Sequence, residues 1–113
     1  MEQYQKKPGS YRSLKAYQKS ECVYDITFYF VEHFLDRGHD RTADQMQQAA
    51  RSGKQNIVEG YSDAEGSSAS HHKLTVIAKG SLEELLEDYE DYLRVHNLER
   101  WSQQHPKYIA CIP

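Results

Sequence analysis

The sequence predicts an all-α protein built on three long helices with a short helical tail. Three observations lead there. Apolar residues recur at spacings of three and four through three long stretches of the chain. Residues that end helices collect between those stretches. No segment alternates convincingly between apolar and polar residues, and the one β-like run, Tyr108 to Ile112, is short. A chain of 113 residues fits one domain. Residues 1–10 read as a flexible arm and residues 11–113 as a single helical domain.

The arm is polar and contains Pro8-Gly9, and Ser10 is placed to cap the first helix. That helix carries Leu14, Tyr17, Val23, Ile26, Phe30 and Phe34 inward, to about Leu35. Cys22, Tyr29 and Val31 widen the stripe, which predicts contact with more than one neighbour. Asp36-Arg37-Gly38-His39-Asp40 interrupts the pattern, with Gly38 as the expected left-handed residue and Asp40 or Thr42 as the next cap.

The second helix is expected from about Thr42 to Tyr61. Its inward positions are Met46, Ala49, Ala50, Gly53, Ile57, Gly60 and Tyr61, most of them small. Glycine within a helix costs about 1 kcal/mol relative to alanine. Gly53 therefore implies a close helix crossing where no side chain fits, or else a local kink. Gly60 falls near the expected end and reads as a C-terminal cap. Ser62 to Ser70 forms a polar loop. From Ser68 or Ser70 a third helix carries Leu74, Ile77, Ala78, Leu82, Leu85, Leu86, Tyr89, Leu93 and His96, and Asn97 ends it. In the tail a short helix is expected near Glu99 to Gln104, limited by Pro106 and Pro113.

Net charge is -3 with histidines neutral, which argues against a general nucleic-acid binder. Nine tyrosines suit half-buried faces and interfaces. Cys22 and Cys111 form no CxxC pair and read as reduced thiols, Cys22 in the core. No apolar run approaches the roughly 18 residues of a membrane span, and MEQYQKKPGS lacks the apolar region of a secretory signal. These features predict a cytoplasmic protein without a membrane contact.

Asn56 and Glu59 share a helix face, with Ser81 and Arg51 as candidate partners of a buried carboxylate. Glu83, Glu84, Glu87, Asp88, Glu90 and Asp91 crowd one stretch and read as a solvated face that repels phosphates. His71 and His72 are adjacent, so a helix points them about 100° apart and they make no two-ligand pair. Neither a metal nor a cofactor is expected. Lys6, Lys7, Arg12, Lys15 and Lys19, interleaved with Tyr4, Tyr11 and Tyr17, form the most basic stretch and are the candidate nucleic-acid contacts. The bland alternative is a solubilising arm leading into a helix. No Ser-His-Asp order, phosphate-binding glycine loop or paired catalytic acid stands out.

LKAYQKSECVYDI, QMQQAARSGKQNIVEG and HHKLTVIAKGSLEELLEDYEDYL together resemble the bacterial four-helix bundle proteins first noticed in intervening sequences of 23S rRNA genes. The resemblance runs from about Leu14 to Leu98. Its most specific parts are Asn56-Ile57-Val58-Glu59-Gly60 and Gly80-Ser81-Leu82-Glu83-Glu84-Leu85. Ser52-Gly53-Lys54 stands where that family has Ser-Ile-Pro, which is similar to its suffix-type subgroup. The resemblance implies an antiparallel up-and-down bundle that assembles as a homopentamer. It marks Gly53, Asn56, Ile57, Glu59, Gly60, Gly80, Ser81 and Leu82 as packing and motif positions. The family's fourth helix is here short or truncated. The expected function is that of a non-enzymatic oligomeric scaffold or adaptor. The alternative is a nucleic-acid-binding accessory protein, like a strongly basic relative that serves diversity-generating retroelements.

Overall fold

A single 3-10 turn, Tyr11–Ser13, leads into the first long helix, α1 (Lys15–Phe34). The computed structural model describes residues 11–63, 68–100 and 102–111. The expected arm, with Ser10 as its cap, lies outside them. Leu14 takes the N-cap position in an extended conformation, with no side-chain cap bond. The helix ends where Leu35 becomes extended. Asp36 then organises the turn: its Oδ1 accepts the Gly38 N–H at 3.0 Å and its backbone oxygen accepts the Asp40 N–H at 2.7 Å. The left-handed glycine expected at position 38 is not used, because the aspartate side chain supplies the turn instead.

Asp40 caps α2 (Arg41–Asp63), accepting the Thr42 N–H at 2.9 Å. Asp44 adds a carboxylate to the first turn, where the helix dipole favours it. α3 (Ser68–Val95) comes next, about 42 Å long at 1.5 Å per residue. Both helices reach into the predicted 62–70 loop, so Gly60 lies inside α2 and is not its cap. Asn97 ends α3 as expected, at a left-handed φ of 56°. The Asn97 N–H bonds the Arg94 carbonyl at 3.2 Å and the Leu98 N–H bonds that of Leu93 at 2.8 Å. That pairing is a Schellman closure, with leucines at its two ends.

The tail differs from expectation. Residues 99–104 form no helix among the described residues; α4 (Pro106–Cys111) begins at the proline instead. Proline fits a first helical position, where its missing N–H would have no partner anyway. Residues 108–111 of the β-like run therefore fall in a helix, and Ile112 lies outside the described residues. All the described elements are helical, and no strand occurs among the described residues.

Neighbouring long helices run in opposite directions. Gly53 of α2 faces Leu82 of α3, and Gly60 faces Leu74. On the other side, Lys54 Nζ sits 4.9 Å from the centre of the Tyr24 ring of α1. Farther along, Arg37 bonds Gln47. α1 also reaches α3 near its C-terminal half. Thr27 Oγ1 and Tyr89 Oη are 2.8 Å apart, and Phe30 packs edge-on against Tyr89 and Tyr92 at 5.0 and 4.9 Å.

The core is thin. Its buried apolar side chains among the described residues are Tyr17, Val31, Met46, Leu85 and the alanines 43, 49, 50 and 78. Alanine contributes little transfer energy, on the order of 0.8 kcal/mol per methylene-sized group. Cohesion falls to Met46 and Val31 at the centre and to half-buried Val23, Tyr24, Phe30, Leu35 and Tyr89 around them.

The buried stripe of α1 is rotated from the one expected. Tyr17, Ser20, Thr27 and Val31 are buried, whereas Cys22, Ile26, Tyr29 and Phe34 are exposed. Positions 17, 20, 24, 27 and 31 keep the same spacing, but two of them are the small polar residues Ser20 and Thr27. Ser20 donates to the Tyr17 carbonyl at 2.7 Å and Thr27 pairs with Tyr89, so neither hydroxyl is buried alone. On α3, Ile77, Leu86 and His96 are likewise exposed where their spacing predicts burial. They sit at the edges of a stripe centred on Ala78 and Leu85.

Candidate functional site

The motif residues converge on the α2–α3 seam. A β-carbon on Gly53 would lie 2.7 Å from Leu82 Cδ2 and 2.8 Å from Leu82 Cγ, so only glycine admits leucine there. About two turns further on, a β-carbon on Gly60 would meet Leu74 Cβ at 3.3 Å and the His71 carbonyl at 3.5 Å. His71 crosses the same junction, donating from Nδ1 to the Gly60 carbonyl at 2.7 Å. The two glycines are the places where α2 lets α3 in.

Beside Gly53 the seam turns polar. Asn56 Nδ2 donates to the Ser52 carbonyl at 2.8 Å and to Ser52 Oγ at 3.2 Å. Ser52 Oγ and Ser81 Oγ are 3.0 Å apart. This chain of bonds ties α2 to α3 and fixes their register. Ser81 thus faces Ser52 and not Glu59. Glu59 is exposed, as is Arg51, so the expected buried carboxylate is absent. Helical spacing shows that Asn56 and Glu59 are near one another. It does not show that the seam passes on the Asn56 side of both. Gly80 is also exposed, and a β-carbon added to it would meet nothing within 4 Å.

A groove of about 700 Å³ opens on one flank of the seam, lined by Asp44, Gln45, Gln48, Ser52, Ser81, Glu84, Glu87 and Asp88. Burial raises the Asp88 carboxyl above the ordinary aspartate range, and the carboxylates of Asp91, Glu84 and Glu87 add to the shift. The field there is negative and disfavours phosphate. Ser52 and Ser81 bond each other and Asn56, and among the described residues neither hydroxyl bonds a histidine or a carboxylate. Groups of three or more His, Cys, Asp or Glu side chains placed to hold a metal ion are absent among the described residues.

The opposite flank is apolar. Ala16 of α1, Ile57 of α2 and Thr75, Ala78, Leu82 and Leu86 of α3 line a groove of about 440 Å³, with Lys79 and Glu83 at its rim. Ile57 and Leu82 thus line the same groove, a placement that the motif alone leaves open.

The basic stretch is only partly described. Lys6 and Lys7 lie outside the described residues. Lys15 and Lys19 are exposed on α1, and the Arg12 guanidinium lies 4.6 Å from the Tyr11 ring centre. Tyr11 packs edge-on against Tyr17 at 5.0 Å, and Tyr17 donates its hydroxyl to Glu21 at 3.0 Å. Burial comes first in raising the Tyr17 hydroxyl above its usual range, and the Glu21 bond adds to it. Both described rings of the stretch are engaged within the fold.

Sequence reasoning missed Ser20 and Thr27 as buried positions. Their spacing with Tyr17, Tyr24 and Val31 was the available signal. Cys22, read as core, is an exposed free thiol. None of the long helices is long and apolar enough to cross a membrane. Comparison with known proteins gives no matching family model, no matching curated protein and no matching solved structure.

Proposed function

We propose that this chain is a non-enzymatic, homo-oligomeric helical scaffold of the cytoplasm, an antiparallel up-and-down bundle whose outer faces join copies of itself. The observation that carries the reading is the apolar surface left on α1. Ile26 and Tyr29, three apart on one face of α1, are 62% and 58% exposed, and Phe28 and Phe34 are exposed at other angles around the same helix. A core half made of alanine sits beneath them. Large exposed apolar patches on soluble domains mark association surfaces. The glycine seam supports the same reading, since its residues are spent on shape and hydrogen bonding. The sequence resemblance favours five copies.

Light scattering at micromolar concentration tests it. The expected mass is several times that of one chain, and five times if the resemblance extends to stoichiometry. A monodisperse monomer would overturn the proposal.

The nucleic-acid reading keeps the cations Arg12, Lys15 and Lys19 but not free stacking rings from Tyr11 and Tyr17. A single-stranded oligonucleotide titration separates the two: binding that falls steeply with salt would favour the accessory reading.

A further inference from the structure

We propose that the outward face of α3 pairs with the same face of a second copy of this chain, the two helices running antiparallel about a two-fold axis level with position 81. His72, Val76, Lys79, Glu83, Leu86 and Glu90 are spaced by four, three, four, three and four, so they form one stripe along α3. The first five are exposed and Glu90 is half-buried. Val76 and Leu86 are 53% and 48% exposed, and Lys79, Glu83 and Leu86 also border the apolar groove. The alternation of three and four is that of a coiled-coil seam.

The stripe is its own complement when reversed. An antiparallel copy centred on position 81 sets Lys79 against the partner's Glu83, Val76 against the partner's Leu86 and His72 against the partner's Glu90. The axis repeats each couple on its other side, as an isologous contact requires. Other arrangements match poorly. A parallel copy in register sets lysine against lysine and glutamate against glutamate. Sliding the antiparallel copy by one heptad sets Glu83 against the partner's Leu86, or Lys79 against the partner's Val76. The pattern thus specifies direction and register as well as partner. Within one chain Lys79 and Glu83 lie 3.8 Å apart with both side chains well exposed, a loose pair that leaves both charges able to meet a second copy. Glu90 holds Arg100 at 3.2 Å, and a carboxylate accepts from more than one donor. His72 offers an N–H in either protonation state. From His72 to Glu90 the stripe is about 27 Å long. Two apolar couples among four polar ones make a small contact of the weak, exchangeable class. A two-fold contact pairs copies without closing a ring, so it is separate from the α1 joint and does not rest on it.

Charge reversal tests the pairing in the full chain carrying Ile26→Lys, which takes the α1 joint out of the measurement. Sedimentation from about 1 µM to about 1 mM protein is expected to show this parent forming dimers. Lys79→Glu and Glu83→Lys are each expected to weaken self-pairing about tenfold, since like charges then meet twice across the axis. An equimolar mixture of the two variants is expected to restore pairing, because each supplies the charge that the other lost. A parent without dimers, single variants that pair as well as the parent, or a mixture no stronger than its components would each overturn the proposal. Disulfide trapping reads direction and register. With Cys22→Ser and Cys111→Ser in place, Val76→Cys combined with Leu86→Cys is expected to link two chains on mild oxidation. The two positions are about 15 Å apart along one helix, too far to bond within it. Either cysteine alone is expected to link none, and single-cysteine linkage equal to that of the pair would overturn the antiparallel register. An assembly whose mass Ile26→Lys leaves unchanged would count against the α1 joint alone, so the two readings fail separately.

Discussion

A β-carbon placed on Gly53 falls 2.7 Å from Leu82 Cδ2, and one placed on Gly80 meets nothing within 4 Å. Both glycines lie within helices, so alanine gains about 1 kcal/mol of helix propensity at either site. At Gly53 overpacking costs about 1–3 kcal/mol against that gain. The clash involves Cγ as well as a terminal methyl, so rotation of Leu82 does not relieve it cheaply. Gly53→Ala is expected to lose stability by about 1 kcal/mol net, and Gly80→Ala to gain about as much, both read by urea unfolding. Adding Leu82→Ala to Gly53→Ala is expected to cost less than the two changes summed, because the methyl then fills space that leucine vacated. Gly53 was legible in the sequence because glycine among alanines on an apolar face has few other uses. Gly80 was not, since a motif position and an exposed position look alike without the rotation of the helix.

At the scale of elements, α3 has one face against α2 and an edge crowded with carboxylates. Asp88 sits where that edge meets the seam, and burial followed by Asp91, Glu84 and Glu87 raises its pKa. A carboxyl whose folded pKa exceeds its unfolded pKa favours the folded state while protonated, and loses that benefit as pH rises through the folded value. At neutral pH the ionised Asp88 therefore opposes folding. Asp88→Asn is expected to raise Tm at pH 7 and to leave it unchanged below the ordinary aspartate range, measured by thermal melts across pH. The opposite trend, a gain confined to acid, would contradict the burial of this carboxyl. Element boundaries match sequence signals closely where a side chain makes the boundary, as at Asp40 and Asn97. They depart where the backbone settles the matter, as at Pro106, which starts a helix that periodicity places earlier. In α1 the spacing is right and its phase wrong. Hydroxylated Ser20 and Thr27 have low hydropathy, yet each has a partner inside, so burial is cheap for them.

For the whole molecule, the balance between a small core and a large apolar exterior decides its behaviour. Ile26 is so exposed that Ile26→Lys should change the stability of one subunit by no more than about 0.5 kcal/mol. In the proposed assembly it would place a charge inside a joint. Sedimentation velocity is expected to show Ile26→Lys shifted to smaller species while circular dichroism stays that of the parent. Helical class and the existence of a tight seam could be read from the sequence alone. Which faces remain open could not, because an amphipathic pattern specifies that a stripe is covered without naming the neighbour that covers it.

Met46 has the largest fully buried side chain among the described residues. A thioether so enclosed meets peroxide only when the fold opens. Its conversion to the sulfoxide, tracked by peptide mass spectrometry, should therefore keep time with that opening and slow as the seam is strengthened, making one sulfur atom the molecule's internal clock.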